Sequence, residues 1–286
     1  MKSPASNLKI AFFGSPLFAV QSLEKLKELG IIPDLVIAQP DKPAGRKLLL
    51  TPPETKVWAE ENNIATFQPK TLRDPEVVKA LKDEGPWDLF IVAAYGKIIT
   101  QEILDIPKHG SLNIHPSLLP KLRGASPLQS AILDEDETGV TITLVDAEMD
   151  HGPILAQEKT VIENWPPKES ELQKITAEQG AEMLAEVIPK WVKGEITPRD
   201  QEHDKATFTR KITKEDGLLD LNADPKENYR KIQAFDIWPR TYFFAEKNGA
   251  KIRVIITDAE LKDGKLIIKK VIPEGKKEMD YSVFAK

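Results

Sequence analysis

Cysteine is absent from the 286 residues, which removes disulfides, thiolate nucleophiles, iron–sulfur clusters and Cys-ligated zinc together. Histidine is scarce: the 4 present are His109, His115, His151 and His203. With no HExxH spacing among them, no metal is expected. The glycine signatures GxGxxG, GxxxxGKS/T and GxSxG are also missing, which speaks against a dinucleotide fingerprint, a phosphate loop and a serine elbow. Long hydrophobic runs are lacking as well. The opening MKSPASNLKIAFFG holds an apolar core of only six residues, LKIAFF, before Gly14 and Pro16. That is short of a signal-peptide core or a membrane span, so a cytoplasmic protein is expected.

What is present reads as an open α/β domain followed by a smaller one. Hydrophobic residues make up 41% and charged residues 30%, enough apolar content for two cores in a soluble chain. LKIAFF (8–13) is a strand, and Ser15 and Pro16 mark a helix start. Val20, Leu23, Leu26 and Leu29 then keep a helical stripe to Gly30, and DLVIAQ (34–39) closes a β–α–β unit. Helices are expected over 54–62 and 75–83 and strands over 64–67 and 88–96, the latter a continuous apolar run buried on both faces. SLNIH (111–115), GVTITLVDAE (139–148) and ILAQEKTVI (154–162) add strands before a long helix at 169–192. The polar, aperiodic stretch 194–206 reads as a linker between a domain at 1–193 and one at 207–286. The latter holds a helix at 225–234 and two strands, 252–261 and 264–273, turning at Asp263-Gly264.

The formal charge of -5 conceals an asymmetry. Residues 207–286 carry 17 Lys and Arg against 13 Asp and Glu, a net of +4, and the preceding 206 residues carry -9. A basic appendage on an acidic domain suggests a separate job for the appendage, with random surface composition as the alternative reading of so modest a charge.

Among side chains able to do chemistry, Asn113 and His115 share one face of a strand that ends at Pro116. A neutral imidazole there can take a proton near pH 7, and an amide can donate to a developing oxyanion. In AEMDHGPI, Gly152 and Pro153 bend the chain so that Asp150 leans back toward the sheet edge, where it would orient the imidazole or hold a water. Asp146 and Glu148 compete for that role, and spacing does not choose among them. His109 and His203 fit surface or local hydrogen-bonding positions. An Asn, a His and an Asp without a covalent nucleophile suit direct transfer of an acyl group onto an amine.

Several segments then resemble one family. AFFGSPLFAVQSLEKL (11–26), QPDKPAGR (39–46), VAAYGKII (92–99), SLNIHPSLLPKLRGASPLQSAI (111–132) and ETGVTITLVDAEMDHGPILAQ (137–157) resemble the formyltransferases that use 10-formyltetrahydrofolate. QPDKPAGR together with FTRKITKEDGLLDL (208–221), IQAFDIWPRTYF (232–243) and PEGKKEM (273–279) is similar to the branch acting on methionyl-tRNA. The resemblance implies a Rossmann-like catalytic domain and an oligonucleotide-fold-like C-terminal β-barrel. It implies Asn113, His115 and Asp150 as the catalytic set, with the formyl donor held near Val92, Ala93, Ala94 and Tyr95 and by the 139–150 strand and loop. Ser117, Leu118, Leu119 and Pro120 would shape the adjacent turn. Arg46, with Lys42 and Lys47, would meet the acceptor end of the initiator tRNA. Arg210, Lys211, Lys214, Lys269 and Lys270 would contact its backbone, with salt-dependent affinity. Two departures stand out: the loop reads GRKLLL where many members continue GRGKKL, and His151 replaces a common Thr or Ser. A monomer is expected. The alternatives are formyl transfer to a small amine (glycinamide ribonucleotide or an amino-sugar nucleotide) and a non-catalytic RNA-binding scaffold.

Overall fold

A computed structural model describes residues 8–45, 48–247 and 249–286, so Arg46 and Lys47 lie outside the described residues. The chain packs as two compact units: Met1–Gly124 with Gly139–Thr160 and Lys174–Phe208, and Ala125–Thr138 with Val161–Gln173 and Thr209–Lys286. The expected boundaries at 193 and 207 follow chain order, whereas packing draws two earlier stretches into the unit that holds the C-terminus.

Strand β1 (Ile10–Gly14), helix α1 (Leu17–Glu28) and strand β2 (Leu35–Ile37) form the β–α–β unit that the apolar run and helical stripe predict. Ser15 does not cap α1, contrary to expectation. Pro16 occupies the N-cap position rather than the first helical one, and Ser15 Oγ instead accepts the Gln39 backbone N–H at 3.0 Å. A short antiparallel hairpin follows, β3 (Lys42–Ala44) and β4 (Leu49–Thr51), then α2 (Glu54–Glu61) and β5 (Ala65–Phe67). Helix α3 (Pro75–Glu84) starts where Asp74 accepts the Glu76 N–H and Pro75 supplies a preset φ. Next come β6 (Leu89–Ala93), α4 (Gln101–Leu104), β7 (Ser111–His115), β8 (Arg123–Gly124), α5 (Pro127–Asp134), β9 (Thr138–Leu144), β10 (Ile154–Thr160) and α6 (Glu169–Val192).

The main sheet runs β10-β9-β7-β6-β1-β2-β5. From β7 to β5 all neighbours are parallel, and β9 is antiparallel to β7. All residues of β6 are buried, as a strand covered on both faces requires. Phe13 and Phe90 meet with ring centroids 5.2 Å apart in a core shared with Ile37, Val92 and Tyr95. Gly14 ends β1 where only hydrogen fits: a Cβ there would lie 2.6 Å from Ala19 Cβ and 2.8 Å from Ala93 O. That close approach brings α1 and the end of β6 together beside β1.

After β11 (Phe208–Thr209), the second unit contains α7 (Pro225–Ala234), β12 (Tyr242–Lys247), β13 (Ala250–Lys262), β14 (Lys265–Pro273), β15 (Met279–Asp280) and α8 (Tyr281–Phe284). Asp224 caps α7 by accepting the N–H groups of Lys226 and Glu227. Asp263 and Gly264, with φ of 50° and 72°, make the tight β13–β14 turn that this residue pair predicts. The four strands form one antiparallel sheet in the order β12-β13-β14-β15, and among the described residues no pairing of its outer strands closes a barrel. Leu219, Ile232, Phe243, Val254, Ile256, Val271 and Phe284 form its core.

Within this unit Arg230 of α7 ends helix α5. Its guanidinium donates to the carbonyl oxygens of Ile132, Leu133 and Glu135 at 3.2, 3.2 and 2.7 Å and pairs with Asp136, satisfying acceptors a helix leaves open. Glu169 is buried here as well. Its Oε1 accepts from Gln129 Nε2, and its Oε2 has no partner among the described residues. Burial, with Asp236 nearby, pushes this carboxyl up to about 8. No helix among the described residues is long and apolar enough to cross a membrane.

Candidate active site

The strand ends of the first unit gather the candidate groups. Register sets Val92 of β6 beside Asn113 of β7, and His115 opposite Thr141 of β9. Asn113 is half-buried and His115 is 4% exposed. His115 Nε2 lies 3.0 Å from the Leu122 carbonyl oxygen, an acceptor, so Nε2 carries a hydrogen and donates it. Nδ1 is thereby left as the basic position, and it faces Asp150 Oδ1 at 3.6 Å. This is ion-pair range and too long for a direct hydrogen bond.

Asp150 is the only one of the three competing acids paired with His115 among the described residues. Its Oδ2 accepts the Gly124 N–H at 2.7 Å. Asp146 is committed elsewhere, to His151 Nδ1 at 2.7 Å and to the Glu148 N–H at 3.0 Å, and Glu148 is exposed. The loop that presents Asp150 is tightly built. Asp150 itself has φ of 52°, and a Cβ at Gly152 would sit 1.9 Å from Leu144 O.

The residues expected around the formyl donor divide into two groups. Val92 and Ala93 are buried strand residues, and Ala94 is exposed with φ of 49°, followed by exposed Gly96 with φ of 73°. The Tyr95 ring turns into the core, edge-on to Phe13 at 5.4 Å, and burial pushes its phenol up to about 12. What Tyr95 leaves at the strand end is backbone, and its carbonyl accepts from Gln39 Nε2 at 2.7 Å. Ser117 and Leu119 are buried in the turn after β7, and Leu118 and Pro120 are half-buried. Ser117 Oγ donates to Lys121 O at 2.7 Å and the Leu119 N–H donates to Thr141 Oγ1 at 3.2 Å, so both help hold the turn's shape.

Lys42 lies on the exposed β3 and reaches Gln39 Oε1. Leu48, Leu49 and Leu50 expose 72, 65 and 69% of their surface. In the second unit Arg210 is held by Asp216, whose carboxyl it keeps well below the usual range. Lys269 pairs with Glu260 at 2.6 Å and Lys270 with Glu278 at 3.8 Å. Lys211 and Lys214 are exposed and have no acidic partner among the described residues. Among the described residues no group of three or more His, Asp and Glu side chains could hold a metal ion. Around the Asn–His–Asp set the structure also brings Arg123, Thr141 and Gln201, which the residue-level reading does not single out. Arg123 and Thr141 fall within the family-like segments 111–132 and 137–157, whereas Gln201 lies outside every such segment.

Residues 8–188 match the family model described as formyl transferase, and residues 211–263 match that for a formyl transferase C-terminal domain. The chain is similar to the methionyl-tRNA formyltransferase of Chloroflexus aurantiacus, 44% identical over 260 residues, covering 90% of this chain and 82% of the relative. In fold it is similar to a sugar N-formyltransferase from a Shewanella species, with a TM-score of 0.65 and 16% identity over 89% of this chain and 99% of that one. It is also similar to an N-formyltransferase from Helicobacter canadensis solved with folinic acid and dTDP-3-aminofucose, with a TM-score of 0.60 and 19% identity over 89% of each chain.

Proposed function

Because the chain belongs to the formyltransferase family, we propose that it moves a formyl group from 10-formyltetrahydrofolate to the α-amine of methionyl initiator tRNA. The observation that carries the acceptor is the relative named for methionyl-tRNA, matched at 44% identity over 90% of this chain. The sugar-named structures share the fold at far lower identity.

The geometry supports a division of labour in that reaction. The acceptor nitrogen bonds to the formyl carbon as the carbon–nitrogen bond to the donor breaks, and one proton passes from the attacking to the departing nitrogen. His115 offers Nδ1 for that proton, because Nε2 is occupied by Leu122 O. Asp150, 3.6 Å away, favours the imidazolium that results. Asn113 supplies an amide donor to the formyl oxygen as it gains charge. The donor fits the end of β6, where the left-handed, exposed Ala94 and Gly96 leave peptide groups available to a flat heterocycle. Of the candidate cations in the second unit, Lys211 and Lys214 have no acidic partner among the described residues and can meet tRNA phosphates directly, while Arg210, Lys269 and Lys270 must first leave their carboxylates.

The test is to supply 10-formyltetrahydrofolate with methionyl initiator tRNA, methionyl elongator tRNA, glycinamide ribonucleotide or an amino-sugar nucleotide. Formylation of the initiator tRNA is expected. Formylation of a small amine alone overturns the acceptor, and no transfer to any of them supports the scaffold reading.

A further inference from the structure

The stretch at 199–207 lies along the catalytic loops of its own unit. Arg199 and Ile154 exchange backbone hydrogen bonds at 2.8 and 2.9 Å, and Thr207 receives the N–H groups of Leu122 and Arg123, through Oγ1 and its carbonyl, at 2.8 and 2.9 Å. Between these anchors the Gln201 side chain is driven inward and is only 4% exposed. Its Nε2 donates to the carbonyl oxygens of Asp150 and Gly152 at 2.9 and 2.7 Å. Its Oε1 accepts from Arg123 Nε and Nη2 at 3.1 and 2.6 Å. The amide orientation is forced, since two carbonyls need a donor and a guanidinium needs an acceptor.

We propose that Gln201, oriented by Arg123, is a positioning residue that fixes Asp150 against His115. A non-glycine residue at φ of 52° holds that conformation only when its surroundings over-determine it, and here its own carbonyl and that of Gly152 end on one amide. The loop is gripped from a second side, because the residue after Arg123 is Gly124, whose N–H binds Asp150 Oδ2. One short ring, from Gln201 through Arg123 and Gly124 to the Asp150 carboxylate and back through the Asp150 carbonyl, therefore sets where Oδ1 stands. The inference rests on Asp150 belonging to the reacting centre.

Gln201→Glu tests it, because a carboxylate still accepts from Arg123 but offers the two carbonyls no donor. Gln201→Met, of similar size, removes both contacts and serves if the first variant folds poorly. With the substrates of the formyl-transfer assay, kcat should fall about 10- to 100-fold, as a displacement near 1 Å of a reacting group implies. KM for both substrates should stay within about threefold, with little change in melting temperature. Independently of any acceptor, the His115 ring resonances, assigned through His115→Gln, should shift in the variant while those of His109 stay in place. Unchanged kcat with unchanged His115 resonances overturns the proposal, as does a loss confined to KM or one matched by a fall in melting temperature. If the unmodified protein formylates nothing, the functional reading fails, and the resonances alone decide the position of Asp150.

Discussion

Gly180 lies inside helix α6, where alanine would ordinarily gain about 1 kcal/mol of helix stability. The structure reverses that sign. A Cβ at Gly180 would stand 2.3 Å from Ile114 Cγ2 and 3.3 Å from Val140 Cγ1. Ordinary carbon contact needs roughly 3.5–4.0 Å, so the first pair must separate by more than 1 Å. Ile114 cannot yield easily: it is 2% exposed and β-branched, on a strand bonded on both sides. Overpacking of this kind costs about 1–3 kcal/mol, which leaves Gly180→Ala destabilised by up to about 2 kcal/mol after the propensity gain. A calorimetric melt should show the transition of this unit lowered by up to about 8 °C. Because Ile114 sits between Asn113 and His115, kcat should fall with stability. A Gly180→Ala protein that melts at or above the wild-type temperature would refute the steric argument.

Three further outcomes follow from the site and the second unit. His115→Ala should cut kcat by about 10²–10⁴, and Asn113→Ala by about 10²–10³, with tRNA affinity nearly unchanged in a binding assay; an equal loss of binding would make both residues structural. Glu169 titrates near 8 when folded against 4.5 when free, so its stabilising contribution is complete below pH 4.5 and is lost as pH rises through 8. The melting temperature of Glu169→Gln relative to wild type should therefore climb across that window and level off above it, and parallel curves would contradict the buried assignment. Removing Lys211 and Lys214 together should reduce the slope of log affinity against log salt by up to about 2, whereas removing Lys269 alone should barely move it.

The sheet is legible wherever the chain is apolar without interruption. The continuous apolar run expected as a strand over 88–96 is observed as β6, Leu89–Ala93, buried on both faces, and Asp263-Gly264 makes the turn that this residue pair predicts. The hairpin at 42–51 is not legible, because its strands are three residues long, Pro40, Pro43, Pro52 and Pro53 give turn signals in and around it, and β4 exposes all three of its residues rather than alternating. Helix α5 is absent from the sequence reading although Pro127 and the apolar Leu128, Ala131 and Ile132 supply a start and a stripe. Ser15 shows the limit of capping rules: the same hydroxyl serves either a helix end or a neighbouring strand's N–H, and tertiary placement decides. For the site, period-two geometry places Asn113 beside His115, but the choice among Asp146, Glu148 and Asp150 turns on loop dihedrals. Gln201 is less visible still, since one glutamine in a polar stretch announces nothing about carbonyls about fifty residues earlier.

Arg230 closes the C-terminus of a helix made nearly a hundred residues before it. On a ribosome adding about 5–20 residues each second, α5 therefore emerges several seconds before the α7 face it packs on exists. During that interval Leu128 and Ile132 wait for the face of α7 that the folded unit packs against them. The same arrangement warns against cutting the gene at residue 207. A fragment beginning there carries Arg230 without the carbonyls it caps, so an excision meant to isolate the C-terminal unit must carry 125–138 and 161–173 along with it.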